Sequence, residues 1–151
     1  MELGEIYPAI LKHKDNGCRI IACCGCFDVF HIGHLNYLQD SKKHGDILVV
    51  GINSDESYRR TKGSAPFFSV SDRAAILEAL RCVSYVFQFS EDTFCASLKT
   101  IRPSIFSVGL DKRNVDLPEK AICAEYGITL VYSGREKVTS STKIKREYWQ
   151  I

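Results

Sequence analysis

No stretch of this sequence approaches the ~18 consecutive apolar residues of a membrane-spanning helix, so no span is expected. Excess charge of one sign is equally scarce. Lys and Arg number 20 against 18 Asp and Glu, a net charge of +2, too weak a field to gather nucleic acid or an anionic membrane surface. The N-terminus, Met1-Glu2-Leu3-Gly4-Glu5, has neither the basic start nor the apolar core of a secretory signal, and a cytoplasmic protein is expected. Internal repeats and low-complexity segments are absent, which argues against a solenoid or a disordered tract. What is left, 151 residues with 45% hydrophobic and 25% charged content, fits one compact globular domain.

Cysteine, in contrast, is abundant at seven residues. Cys23-x-x-Cys26 has the spacing of a zinc or redox pair. Cys23 and Cys24, however, fall in an apolar strand whose successive side chains point to opposite faces, and Cys82, Cys95 and Cys123 stand among apolar residues. They read as free thiols acting as small hydrophobes in a reducing compartment.

Five apolar runs, at 19–24, 46–52, 83–87, 104–109 and 128–132, have the length of buried strands. Helical segments alternate with them. A leading helix covers 5–14, and a second, with Leu35 and Leu38 on one face, covers 35–43. A third runs to about Arg60, followed by a loop at 61–66. A fourth starts at Ser71-Asp72 and carries Ala75, Ile76, Leu77 and Leu80 inward. Ser90-Glu91-Asp92 caps a fifth, Gly127 closes a sixth, and Ser140-Ser141-Thr142 caps a last helix to about Trp149. Strands alternating with helices predict an α/β fold, a doubly wound, Rossmann-like five-stranded parallel sheet in the order 3-2-1-4-5. Residues 1–17 form an N-terminal helical extension and 18–151 the domain. In that order the ligand crevice lies between strands one and four, where the chain path reverses.

The exit of strand one reads Gly25-Cys26-Phe27-Asp28-Val29-Phe30-His31-Ile32-Gly33-His34. Gly25 permits a sharp turn or a close approach of ligand, and Gly33 keeps the following helix start clear. The N–H groups of that start attract an anion. His31 and His34, three apart, share a face and can donate to phosphate oxygens. Such a pair also suggests zinc, but no further ligand stands near at metal spacing apart from Asp28, and no metal site is expected. Lys62, beside Gly63, suits a phosphate clamp, although a loop lysine is usually solvated surface. Arg73, a cation in a first helical turn, is disfavoured by the dipole, which suggests a task or an ion pair with Asp72 or Asp55. Asp111 follows strand four, placed for substrate or magnesium or as a plain cap. Arg135 and the hydroxyls of Ser140, Ser141 and Thr142 make a triphosphate cradle or an ordinary helix cap.

The string Gly-x-Phe-Asp-x-x-His-x-Gly-His resembles the signature of the cytidylyltransferase-like nucleotidyltransferases. His-Ile-Gly-His also occurs in class I aminoacyl-tRNA synthetases, but no tRNA-binding region accompanies it here. The resemblance runs from about residue 18 to 144. It implies that His31 and His34 hold a nucleoside triphosphate and stabilise its α-phosphate under attack, and that Lys62 and Arg73 complete the catalytic set. It further implies that Gly25, Cys26, Phe27, Asp28, Gly33, Asp111, Arg135, Ser140, Ser141 and Thr142 bind the nucleotide. The closing family motif, Arg-Thr-Glu-Gly-Ile-Ser-Thr-Thr-x-Ile, keeps Arg135, Ser140 and Thr142 but has Val138 in place of its glycine, which leaves the base open.

Within the family, Gly25-Cys26-Phe27-Asp28, residues 50–57, Arg60-Thr61-Lys62-Gly63 and Ser90-Glu91-Asp92-Thr93 resemble the nucleotidyltransferase domains of ADP-heptose synthases. Cys24 departs from their usual Asn. Glycerol-3-phosphate cytidylyltransferases share the same frame. The resemblance implies transfer of a nucleoside monophosphate, AMP ahead of CMP, to a phosphorylated sugar or polyol such as heptose 1-phosphate, with release of pyrophosphate. It implies Mg2+ arriving with the triphosphate, and a homodimer. A nucleotide-binding regulatory module is the rival from another class, and intact His31, His34, Lys62 and Arg73 argue against it.

Overall fold

The computed structural model describes residues 1–135 and 140–149. Its strands are β1 Ile20–Gly25, β2 Ile47–Asn53, β3 Tyr85–Phe89, β4 Ile105–Gly109 and β5 Thr129–Ser133. They form one parallel sheet in the order β3-β2-β1-β4-β5, as the alternation of elements predicts. The helices are α1 Leu3–Asp15, α2 Ile32–Lys42, α3 Asp55–Lys62, α4 Val70–Glu78, α5 Cys95–Ile101, α6 Glu119–Tyr126 and α7 Ser141–Trp149.

β1 is the axis of the sheet. Cys23 pairs with Val50 of β2 on one side and Ser107 of β4 on the other. Alternate β1 residues face opposite layers. Ile20 and Ala22 join Phe106, Phe94 and Leu98 in one core, while Ile21 and Cys23 join Leu38 of α2 and Leu77 of α4 in the other. Burial on both faces is why these strands are continuous apolar runs. The leading helix, predicted as an extension, places Ile6 and Ile10 in the first core, and Glu2 bridges to Gln88 on β3.

Two helices differ from expectation in ways that matter for the site. α3 continues through Lys62 and ends at Gly63, whose φ of 77° supplies the left-handed cap. Lys62 therefore rides the last turn of a helix, where the dipole favours a cation, and is not on a loop. α4 begins at Val70, with the Ser69 hydroxyl accepting from Asp72 N–H. This turns Arg73 and Leu77 inward, four apart on one face, and leaves Ala75 and Ile76 exposed. The apolar residues at 75–76 lose the inward position to an arginine that finds buried partners.

All seven cysteines are free thiols. Burial pushes Cys23 up to about 12 and Cys123 up to about 11, so these thiols stay protonated and serve as packing groups.

Close packing gives one glycine a steric role. A Cβ on Gly51 of β2 would lie 2.5 Å from Cε2 of Phe94 and 3.2 Å from Cζ of Phe87. Gly51→Ala is predicted to lower stability by about 1–3 kcal/mol through overpacking, read from the urea midpoint. An unchanged midpoint would show that the Phe87–Phe94 stack moves aside freely.

Candidate active site

The turn from β1 into α2 is built around one strained residue. Phe27 has φ of 48°, left-handed for a residue with a side chain, a conformation costing of order 1 kcal/mol or more. Its buried ring offsets that cost, meeting His34 edge-on with centroids 5.2 Å apart. Gly25 makes this possible, because a Cβ there would stand 2.9 Å from Phe27 Cε2. Room for Phe27 is thus the steric reason for the glycine.

His31 is the N-cap of α2. Its Nδ1 accepts from Gly33 N–H at 3.0 Å, and His34 Nδ1 accepts a longer bond, 3.4 Å, from His31 N–H. The two rings stack with centroids 3.9 Å apart. With Nδ1 accepting in both, each neutral imidazole carries its proton on Nε2. The tautomer follows from the hydrogen-bond network. The local sequence thus sets both histidines as Nε2–H donors.

Arg73 lies beneath this turn. Its side chain is fully buried, with Nη1 donating to Cys26 O at 2.7 Å, Nη2 to Asn53 O at 2.9 Å and to Asp55 Oδ1 at 2.8 Å, and Nε to Phe68 O at 3.1 Å. The guanidinium fork binds the ends of β1 and β2 and the loop before α4 into one unit.

Asp28 is a second tie. Its carboxylate accepts from Phe67 N–H at 2.9 Å, Phe68 N–H at 3.0 Å and Tyr58 OH at 3.2 Å, and it pairs with Lys145 of α7. Burial alone would raise its carboxyl, but Lys145 and the two amides outweigh that and hold it below the usual range. For Lys145, burial pulls the amine down, and its bonds to Asp28 and Tyr58 more than restore it, leaving it above its ordinary value. Ser141 Oγ also donates to Val29 O at 3.0 Å. The start of α7 is therefore sewn to the histidine turn.

A crevice of about 450 Å³ opens between these elements, within the range of small-ligand sites. It lies at the β1–β4 switch point. Gly25, Cys26, Phe27, Asp28, His31, Gly33, His34, Lys62, Asp111, Arg135, Ser140, Ser141 and Thr142 all line it. Every site residue read from the sequence is thus brought together except Arg73, which supports the crevice from below. The Glu136–Thr139 part of the closing motif lies outside the described residues.

Sequence reasoning missed several wall residues. Tyr37 OH donates to Ser107 O at 2.6 Å, and the hydroxyls of Ser41, Ser107 and Ser133 form a chain with 2.7 Å links. Ser107, polar in an apolar strand, was the available signal. Lys112 and Glu119 also line the crevice, and neither belongs to a local motif. Lys145 had no local signal, since Asp28 is 117 residues away.

The sequence profile of the cytidylyltransferase-like family matches residues 22–147, spanning the sheet, the histidine turn and most of α7. The chain belongs to the cytidylyltransferase-like family. Among relatives of this cytidylyltransferase-like chain, the bifunctional protein HldE of Geobacter metallireducens is 40% identical over 97% of the chain and 31% of its own length. That of Helicobacter pylori is 40% identical over 97% and 33%, and that of Syntrophotalea carbinolica 44% over 84% and 26%. The chain spans about a third or less of these relatives. The crystal structure of a lipopolysaccharide core biosynthesis protein from Thermoplasma volcanium superposes with a TM-score of 0.68 at 28% identity, covering 80% of this chain and 100% of that one. The cytidylyltransferase-like family makes this chain a nucleotidyltransferase.

The Asp28–Lys145 tie of this cytidylyltransferase-like domain has a pH signature. Asp28 is depressed in the fold, so its contribution is present above the ordinary value of 3.8 and is lost as pH falls through the lowered one. Lys145 is raised, so its contribution is complete below 10.5 and is lost as pH rises through the higher value. Asp28→Asn is predicted to cost about 3 kcal/mol at neutral pH and to flatten the acid limb of the stability profile in urea titrations. Wild-type stability in this variant would show that Lys145 turns out to water without penalty.

Proposed function

We propose that the chain transfers AMP from ATP to the phosphate of a sugar 1-phosphate of the heptose type and releases pyrophosphate. The observation that carries this reading is the pair of Nε2–H donors, His31 and His34, at the start of α2 on the wall of the crevice. Similarity to proteins named HldE and to a lipopolysaccharide core biosynthesis protein supports a sugar phosphate as acceptor.

The α2 N-terminus and the start of α7, with Ser140, Ser141 and Thr142, attract the triphosphate. An acceptor phosphate oxygen attacks the α-phosphorus, and the bond to the leaving pyrophosphate breaks. The nucleophile is already an anion, so no general base is needed and catalysis is positioning and charge neutralisation. His31 and His34 donate to the α-phosphate oxygens, and Lys62 approaches from the end of α3. Arg73 and Asp28 are positioning residues that hold the turn and α7. Among the described residues no group of three or more His, Cys, Asp or Glu is placed to hold a metal. A triphosphate brings Mg2+ with its own oxygens and waters, and Asp111, the exposed carboxylate at the crevice, would add one ligand. That ion would offset charge on the departing pyrophosphate. The same proposal carries a homodimer in the cytoplasm. Among the described residues no helix is long and apolar enough to cross a membrane.

His31→Ala and His34→Ala are predicted to lower kcat about 10²–10³-fold, with loss of the His31 cap costing only about 1 kcal/mol of stability. Near-wild-type turnover in either variant would refute the assignment. Lys62→Ala should lower kcat more than it raises the KM for triphosphate, and Lys62→Arg should restore activity in part. A change in KM alone would make Lys62 a ground-state clamp. Pyrophosphate release measured with ATP and CTP against heptose 1-phosphate and glycerol 3-phosphate tests the substrates. Turnover confined to CTP and glycerol 3-phosphate would replace the adenylyl–heptose reading with a polyol-phosphate cytidylyltransferase.

A further inference from the structure

Helices α1 to α6 are each anchored by buried side chains, such as Ile6 and Ile10 of α1 or Leu38 and Ser41 of α2. α7 is built differently: none of its residues from Ser141 to Trp149 is buried. A helix with so few buried apolar contacts belongs to the low-stability end of a fold. Its attachment falls on polar links, and these converge on one junction.

The centre of that junction is the Tyr58 hydroxyl. It donates to Asp28 Oδ2 at 3.2 Å and accepts from Lys145 Nζ at 3.1 Å, while Lys145 also pairs with Asp28. Three elements meet there: the β1–α2 turn through Asp28, α3 through Tyr58 and α7 through Lys145. Lys62 stands one turn beyond Tyr58 on the same face of α3, and both line the crevice. One turn before Lys145, Ser141 Oγ donates to Val29 O at 3.0 Å, and Ser140, Ser141 and Thr142 border the crevice. The junction therefore sets where the start of α7 stands relative to the histidine turn and to Lys62. A triphosphate that touches Ser140, Ser141 and Thr142 has a higher affinity for the docked helix than for the undocked one. Such a difference shifts α7 toward docking, and docking raises the triphosphate affinity by the same factor.

We propose that α7 is a wall closed by the nucleotide, with the Asp28–Tyr58–Lys145 junction as the latch that fixes its closed position. Tyr58 and Lys145 are then positioning residues, which act through the start of α7 and not on the reacting atoms. This deepens the nucleotidyltransferase reading above and rests on it, since the closing ligand is the nucleoside triphosphate.

The test is amide hydrogen exchange, read by mass spectrometry on peptides of α7, β1 and β2, with and without a non-hydrolysable analogue of ATP or CTP whose binding is measured by calorimetry. In wild-type protein the bound analogue is expected to slow exchange in α7 about tenfold or more. Lys145→Met removes the latch, and Tyr58→Phe removes only its hydroxyl and keeps the buried ring. Each is expected to speed α7 exchange in the free protein while β1 and β2 stay slow, which shows the sheet intact. Lys145→Met should weaken the analogue about tenfold, because only the docked fraction is competent to bind. In turnover it should raise the KM for triphosphate more than it lowers kcat, with partial rescue by Lys145→Arg. Equal α7 exchange in free and analogue-bound wild-type protein would make the helix a fixed wall and overturn the closure alone. Wild-type affinity in both Lys145→Met and Tyr58→Phe would overturn the latch. Wild-type protein that binds neither analogue would overturn the triphosphate reading and the closure together.

Discussion

A buried guanidinium holds the site together. Arg73 donates to backbone oxygens from the β1 exit, the β2 exit and the loop before α4, and pairs with Asp55 at the start of α3. The Cys26 and Asn53 carbonyls lie where strands end and the sheet ladder can no longer satisfy them. A single planar group with five N–H donors meets that need. The first residue of the histidine turn is fixed from below by the bond from Arg73 to Cys26 O.

Asp28 extends the same frame outward. Next to a strained Phe27, it collects two loop amides, a tyrosine hydroxyl and a lysine from α7. A buried ion pair of this kind adds little net stability compared with apolar packing. Its effect here is geometric, since the lysine brings α7 to the one place where its first residues border the crevice.

Much of this was legible in the sequence because it is local. Five apolar runs alternating with helices imply the strand order, and the Gly25–His34 stretch implies a strand-to-helix turn at the switch point. Arg73 was visible as a cation in the wrong turn of a helix and its pairing with Asp55 was among the readings, but its bonds to Cys26 O and Asn53 O were not, since no local pattern encodes an approach to backbone atoms of other segments. Reading Ala75 and Ile76 as core followed from hydrophobicity alone. An arginine with four hydrogen bonds indoors shares the inward face of α4 with Leu77 and leaves Ala75 and Ile76 outside. Lys145 and Glu119 were silent because their contacts, with Asp28 and with Phe94 N–H, are made by an approach across the fold. No spacing along the chain encodes that approach.

α7 is joined to the rest of the molecule by side chains and not by a ladder of strands: the Lys145 pair, the Ser141 bond to Val29 and contact of the Trp149 ring with Phe67, centroids 5.0 Å apart. Trp149 is also the chain's single tryptophan. The intrinsic fluorescence of this protein therefore reports the docking of one helix. Local opening of α7, a lower-energy event than loss of the sheet, changes the emission while the β-ladder persists, so the optical and far-ultraviolet transitions separate wherever the crevice loses its wall before the fold is lost.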